Sequence, residues 1–213
     1  MEKLSMQNDC EVKDAGNRQR YKTITLAKIA VLSAVASILM LFEIPIFFIP
    51  GFYKLDFSEI PVLLGAFAMG PVAGIIIEAV KILLNFVIDG SVTAGVGEVA
   101  NFLIGSSFVV PAAIIYKRNK TRKNAIIGLM VGLLLMVILS AIMNLYILLP
   151  VYAAAFKIPV DAIISMGKEL NPAITDLNTF ILFATVPFNI IKGFLASLIT
   201  ILIYKKLSPL LHS

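Results

Sequence analysis

The stretch LNTFILFATVPFNIIKGFLASLITILIY, Leu177–Tyr204, decides the fold. It is long and apolar enough to cross a bilayer as one helix, for which roughly 20 residues suffice. Yet Lys192 stands in its middle. A charge at that depth costs about 2.5–3.5 kcal/mol on insertion scales, and such a residue normally faces a protein interior and marks a ligand or ion pathway. Asn178, Thr185, Asn189 and Lys192 follow one another at i, i+7, i+11 and i+14. At about 100° per residue they fall within roughly 60° of one another, so one side of this helix reads as an inward polar stripe. Pro187, just before Asn189, removes a helix hydrogen bond and is expected to bend the helix there.

The composition extends that reading to the whole chain. Of 213 residues, 59% are hydrophobic and 15% charged, and the mean hydropathy is +0.95. A water-soluble domain of this size cannot hide so much apolar surface, so the chain reads as an integral membrane protein. The first two dozen residues are polar, with no apolar core or small-residue cleavage site; no signal peptide is read, and the first apolar segment is expected to be a retained helix. Cys10 is the single Cys, which excludes a disulfide within the chain and a Cys metal site. His212 is the single His and is penultimate, which argues against His-based catalysis and metal binding.

Apolar runs, read against Gly, Pro and charge, give six helices: Thr25–Phe48, Ser58–Met69, Pro71–Ile88, Gly95–Tyr116, Ala125–Val151 and Leu177–Tyr204. The expectation is an all-α integral membrane protein with six transmembrane helices, a short second helix and a pocket open to the extracellular side. Residues 25–206 form one membrane domain, flanked by a polar cytoplasmic tail at 1–24 and a short cytoplasmic tail at 207–213. Orientation comes from Lys and Arg. The N-terminal tail, the loop Lys117–Lys123 and the C-terminal Lys205 and Lys206 are basic, and six spans put all three on one side. The positive-inside rule makes that side the cytoplasm of a multi-pass cell-membrane protein. The remaining loops carry Asp56, Glu59, Asp89, Glu98, Asp161, Glu169 and Asp176 against Lys54, Lys157 and Lys168.

The second helix is too short to span. Ser58 reads as its N-cap, Pro61 lies in its first turn, and Gly70-Pro71 ends it. About 12 residues reach about 18 Å, well short of a ~30 Å hydrocarbon core. The preceding IPIFFIPGFYKLDF, Ile44–Phe57, is therefore expected to dip into the protein from the outer side, where irregular backbone is tolerated if buried or lining a cavity. Its aromatics suit a lid over a flat ring; an interfacial aromatic belt is the plainer reading.

Other helices carry inward stripes as well. Glu78, Lys81, Asn85 and Asp89 share a face, and Glu78 can pair with Lys81, which by itself also suits a neutralised pair that fixes packing. Glu98, Asn101 and Gly105 share another face. Asn144 stands alone among Leu, Ile and Met, as a helix-bridging Asn also would. These groups donate and accept without a nucleophile–base arrangement, and GxxxxGK[ST], HExxH and GxSxG do not occur. The chain is expected not to be an enzyme, and its ligand to be polar, weakly charged or neutral, with apolar surface to bury. Repeated polar rings would mark a pore; Lys192 beside Asn189 reads as a point of ligand contact. A small-solute channel is the reading from another class. In the first helix, Ala27, Ala30 and Ala34 share one face, and AVLSA (Ala30–Ala34) is a small-xxx-small pattern that on spacing alone reads as packing within the chain.

DFSEIPVLLGAFAMGP (Asp56–Pro71), EAVKILLNF (Glu78–Phe86), MNLYILLPVY (Met143–Tyr152) and VPFNIIKG (Val186–Gly193) resemble the riboflavin-specific substrate-binding subunit of energy-coupling factor transporters, over roughly Thr25 to Lys206. The resemblance implies high-affinity capture and uptake of riboflavin as transported substrate, without a cofactor, in a complex with a transmembrane coupling subunit and two cytoplasmic ATPases. A sibling specificity for another vitamin is the alternative. The resemblance also implies docking of the coupling subunit on Ala27, Ala30 and Ala34. It places Asn144, Asn189 and Lys192 on polar atoms of the flavin or its ribityl chain, and gives Asp56 and Glu59 ribityl hydroxyls or the capping of the short helix. Lys81 and Asn101 complete the expected set. Stacking of the flavin on Phe47, Phe48, Phe52, Tyr53 or Phe57 stays open.

Overall fold

A computed structural model gives the architecture. It describes residues 2–47, 49–50, 53–91 and 93–212, with side chains from 22 to 204 within those ranges. The order is α1 Glu2–Leu41, β1 Ile44–Pro45, β2 Lys54–Leu55, α2 Glu59–Met69, α3 Pro71–Asp89, α4 Val96–Arg118, α5 Arg122–Met143, α6 Leu149–Phe156, α7 Val160–Leu170, α8 Leu177–Phe180 and α9 Val186–His212. A π-helical turn, Asn144–Leu148, joins α5 to α6, and another, Ile181–Thr185, joins α8 to α9. The described residues thus form seven continuous helical bodies. Five of them contain spans long and apolar enough to cross a membrane: Lys22–Leu41, Pro71–Asp89, Val96–Arg118, Arg122–Phe156 and Leu177–Tyr204.

The sequence-based outline is corrected at several places: α1 begins at Glu2 rather than Thr25, and the fifth helix runs on from the expected Val151 to Phe156. The first helix stops at Leu41 rather than at Phe48, which lies outside the described residues. Pro45 explains the stop: it lacks an N–H and disfavours helical geometry at Ile44. The chain turns instead into a two-stranded antiparallel ribbon that pairs Ile44 with Leu55 and Pro45 with Lys54, closed by an ion pair between Glu43 and Lys54. The expected count of six omits a seventh body, α7. There Ile163 and Gly167 are buried at i, i+4 and Gly167 packs on Phe180. The break before α7 comes from Lys157, left-handed at φ 55°, and Pro159. Finally, Ser58 precedes α2 without capping it; its N–H and hydroxyl both turn back to Asp56 Oδ1.

The short α2 is the hub. Its 11 residues reach about 16 Å. Every residue from Glu59 to Phe67 is buried, and α1, α3, α4 and α9 all pack on it. Gly70, at φ 103°, lets α2 reverse directly into α3 through Pro71. α4 and α5 form the tightest hairpin. Gly128 and Gly132, four apart on α5, lie against the backbone of Ala112 and Phe108 on α4; a Cβ on Gly128 would stand 2.7 Å from the Ala112 carbonyl oxygen. This is the close approach that small-xxx-small spacing permits between membrane helices. Around α2 a core of Leu63, Phe67, Ile77, Phe108 and Leu129 fills the half of the bundle near the Lys117–Lys123 loop, closed by stacked Phe67 and Tyr116. A second cluster, with Leu149, Ile163, Phe180 and Ile181, packs α7 onto α6 and α8. The cavity lies between the two.

Candidate functional site

Elements from across the bundle meet at a cavity of about 210 Å³. The end of α1 supplies Met40, the segments flanking β2 Tyr53 and Asp56, the start of α2 Glu59, α4 Asn101 and Gly105, α5 with its π turn Ser140 and Asn144, and α9 Asn189 and Lys192. Of the site residues expected from sequence, six of seven therefore line one space. Lys81 stands behind the wall, fully buried, and reaches the cavity through Glu59.

Charge is arranged in two buried groups. The Lys192 ammonium donates to Asp56 Oδ2 at 2.7 Å, tying α9 to the loop before α2. Asp56 is held in turn by Ser58. Behind them Lys81 lies 2.9 Å from Glu59 and 2.8 Å from Glu78, joining α2 to α3. The expected Glu78–Lys81 pair is present, and Glu59 joins it from another helix. Oε2 of Glu59 and Oε2 of Glu78 have no hydrogen-bond donor among the described residues. The two acids fit because Gly105 has no side chain: a Cβ there would collide with Glu78 Oε1 and stand 3.0 Å from Glu59 Oε1. Isolated buried charge costs several kcal/mol per ion, so each of these groups depends on its partner.

A second polar group joins Tyr53, Asn144, Thr185 and Asn189. The Tyr53 hydroxyl donates to Asn144 Oδ1 at 2.9 Å and lies 2.7 Å from Thr185 Oγ1. Asn144 donates to the Ser140 carbonyl at 2.9 Å and to its hydroxyl at 3.2 Å. Asn189 donates to the Thr185 carbonyl at 2.9 Å. Both π turns sit here, one carrying Asn144 and the other Thr185. Each precedes a proline, Pro150 or Pro187, whose missing N–H leaves a carbonyl without an α-helical partner. The bend expected at Pro187 thus comes with a π turn, a feature frequent at functional sites. Asn178 departs from the expected stripe and is exposed, because the π turn between it and Thr185 breaks the 100° register.

Three of the five loop aromatics are described. Tyr53 lines the cavity, its ring 5.0 Å from Phe188 and 6.5 Å from Phe180. Phe47 is 95% exposed and Phe57 packs into the core. Phe48 and Phe52 lie outside the described residues. Sequence reasoning missed Ser140, Tyr152 and Met136; Ser140, at i−4 from Asn144 and on its face, was the one with a readable signal. Far from the cavity, Ala27, Ala30 and Ala34 are all exposed on α1 beside Leu26, Val31, Val35 and Ile38. Their opposite face, with Ser33 and Ala36, is buried against the bundle.

A multi-pass helical membrane protein with a polar cavity framed by apolar helices is a class built to hold a small solute. A family model described as the substrate-specific component of ECF transporters matches residues 24–204, and the chain belongs to this family. Its members are transport components rather than enzymes. The chain is 40% identical over 186 residues to the riboflavin transporter RibU of Staphylococcus aureus (strain TCH60), covering 87% of this chain and 91% of that one. It is 34% identical over 191 residues to the riboflavin transporter FmnP of Bacillus subtilis (strain 168), covering 88% and 94%. A solved structure described as the S component of a bacterial ECF transporter superposes with a TM-score of 0.69 at 36% identity, covering 90% of this chain and 99% of that one.

Proposed function

We propose that this chain captures riboflavin at the outer face of the cell membrane and delivers it as the substrate-binding component of an ECF transporter. The observation that carries the site is the convergence of Asn144, Asn189, Lys192 and Asp56 on one cavity. Amides, an ammonium and carboxylates suit ring carbonyls, ring nitrogens and ribityl hydroxyls, and Tyr53, Phe188, Met136 and Ile104 supply apolar surface for a flat ring. Asn101 is read as a contact near the mouth. Glu59 contacts the ligand, and Lys81 holds Glu59 in place. The names of the relatives support riboflavin over another vitamin.

The mouth is built from the end of α1, the ribbon and the start of α4, opposite the basic loop Lys117–Lys123. The positive-inside rule then puts the mouth outside and both termini in the cytoplasm. The five long spans, with α2 and its loop as a sixth pass, satisfy that arrangement. The exposed face of Ala27, Ala30 and Ala34 is read as the dock for the transmembrane coupling subunit, with two cytoplasmic ATPases supplying the energy.

Isothermal titration of riboflavin into purified protein, stripped of bound flavin by mild unfolding and refolding, tests the reading. Tight one-to-one binding, weakened by Lys192→Ala, is expected. A well-folded preparation that takes up no riboflavin would overturn it.

A further inference from the structure

The charges along the path into the cavity do not balance at its outer end. At the deep end, Asp56 and Lys192 form one pair, while Glu59 and Glu78 share a single ammonium, that of Lys81. The cavity also continues outward. Met40, Glu43, Lys54, Asn101 and Tyr152 line both it and a wider vestibule of about 420 Å³. In the vestibule Glu43 is matched by Lys54. Asp89 at the end of α3 and Glu98 at the start of α4 also line it, and neither has an ion-pair partner among the described residues. The Glu98 carboxylate is fixed there: the Ser91 hydroxyl donates to it at 2.9 Å while accepting from Gly95 N–H at 2.8 Å.

A neutral polar ligand meets only hydrogen-bonding groups along this path. An anionic one meets repulsion in the vestibule, from two carboxylates that no ammonium among the described residues matches. We propose that Asp89 and Glu98 form an electrostatic filter at the mouth that selects the neutral vitamin over its 5′-phosphate monoester. The inference rests on the riboflavin reading of the cavity and deepens it. The filter acts at a distance, through a partly open space, so it is screened by salt. Like-charge juxtaposition is a general means of suppressing the wrong ligand.

The test titrates the full-length protein in detergent with riboflavin and, separately, with riboflavin 5′-phosphate, following flavin fluorescence, for the natural chain and for Asp89→Asn with Glu98→Gln. The amide introduced by Glu98→Gln keeps an oxygen for the Ser91 hydroxyl, and neither position lines the inner cavity. The natural chain is expected to prefer riboflavin by about tenfold or more. The double variant is expected to bind the phosphate about three- to tenfold more tightly with riboflavin unchanged within about twofold. A second measurement needs no variant: raising the salt from low to about 0.5 M should narrow the preference in the natural chain. Equal affinities in the natural chain, or a preference that neither the double substitution nor salt moves, overturn the filter while leaving riboflavin binding intact. Failure of both flavins to bind overturns the functional reading and the filter with it.

Discussion

Lys192 was legible because a charge in an apolar run has to be explained, and its position alone pointed inward. Its partner was not legible. Asp56 is more than a hundred positions earlier, and nothing in the spacing of one helix tells which loop will reach it. The same holds for Tyr53: five loop aromatics were equivalent in the sequence, and the hydroxyl that reaches Asn144 and Thr185 sets Tyr53 apart from the other described ones. Lys192→Ala removes one contact and leaves Asp56 buried without its ion pair, so riboflavin affinity is expected to fall about 10- to 100-fold by titration. Lys192→Ala with Asp56→Asn removes the stranded charge and should recover part of the lost thermal stability. In the sequence Gly105 is no more than a member of a face. Its Cβ position collides with Glu78, so Gly105→Ala must displace a buried acid from Lys81. A loss of about 1–3 kcal/mol, seen as a lower melting temperature in detergent, is expected.

Whole elements were readable where hydropathy ran long and unreadable where the backbone departed from 100° per residue. The four longest spans after the first fell within a few residues of their expected bounds, apart from α5–α6, which runs on to Phe156. The two π turns left no mark in hydropathy, yet they set the facing of Asn144 and Thr185, and only Pro150 and Pro187 hinted at them. The helix α7 escaped because it is short and amphipathic, with a polar flank that reads as loop. The α4–α5 approach yields a prediction at this scale: Gly132→Leu forces a side chain into the Phe108 backbone, and is expected to separate the helices and abolish a cooperative melt while Gly132→Ala is milder. At the start of α8 the Asp176 carboxylate accepts from the Thr179 N–H and hydroxyl, which holds its pKa below the ordinary carboxylate range. A depressed folded-state pKa means stability that is present at neutral pH and lost as pH falls below the ordinary carboxylate range and through the lowered value. Thermal melts should therefore fall less steeply with acidification in Asp176→Asn than in the natural chain.

At the scale of the molecule, two surfaces stand apart. The cavity faces one end of the bundle, and the small-residue face of α1 lies along its side, turned away from the cavity. The first was legible from polar residues in the wrong solvent. The second needed a family resemblance, since Ala27, Ala30 and Ala34 suit intramolecular packing equally well on spacing, and their exposure was visible only in three dimensions. Ala30→Trp or Ala34→Trp is expected to leave riboflavin titration unchanged within about twofold while uptake into cells carrying the complete transporter is lost. Loss of binding in those variants would refute the assignment of that face.

The burial of α2 has a consequence for how the protein is made. About 16 Å of helix that opens on a glutamate cannot settle in a bilayer by itself. The ammonium that neutralises Glu59 belongs to Lys81, which leaves the ribosome later. The segment therefore has to wait at the surface and enter together with α3 as a hairpin, its acid already matched. Insertion is therefore expected to be cooperative at that step, with the Glu59–Lys81 contact formed as the hairpin enters.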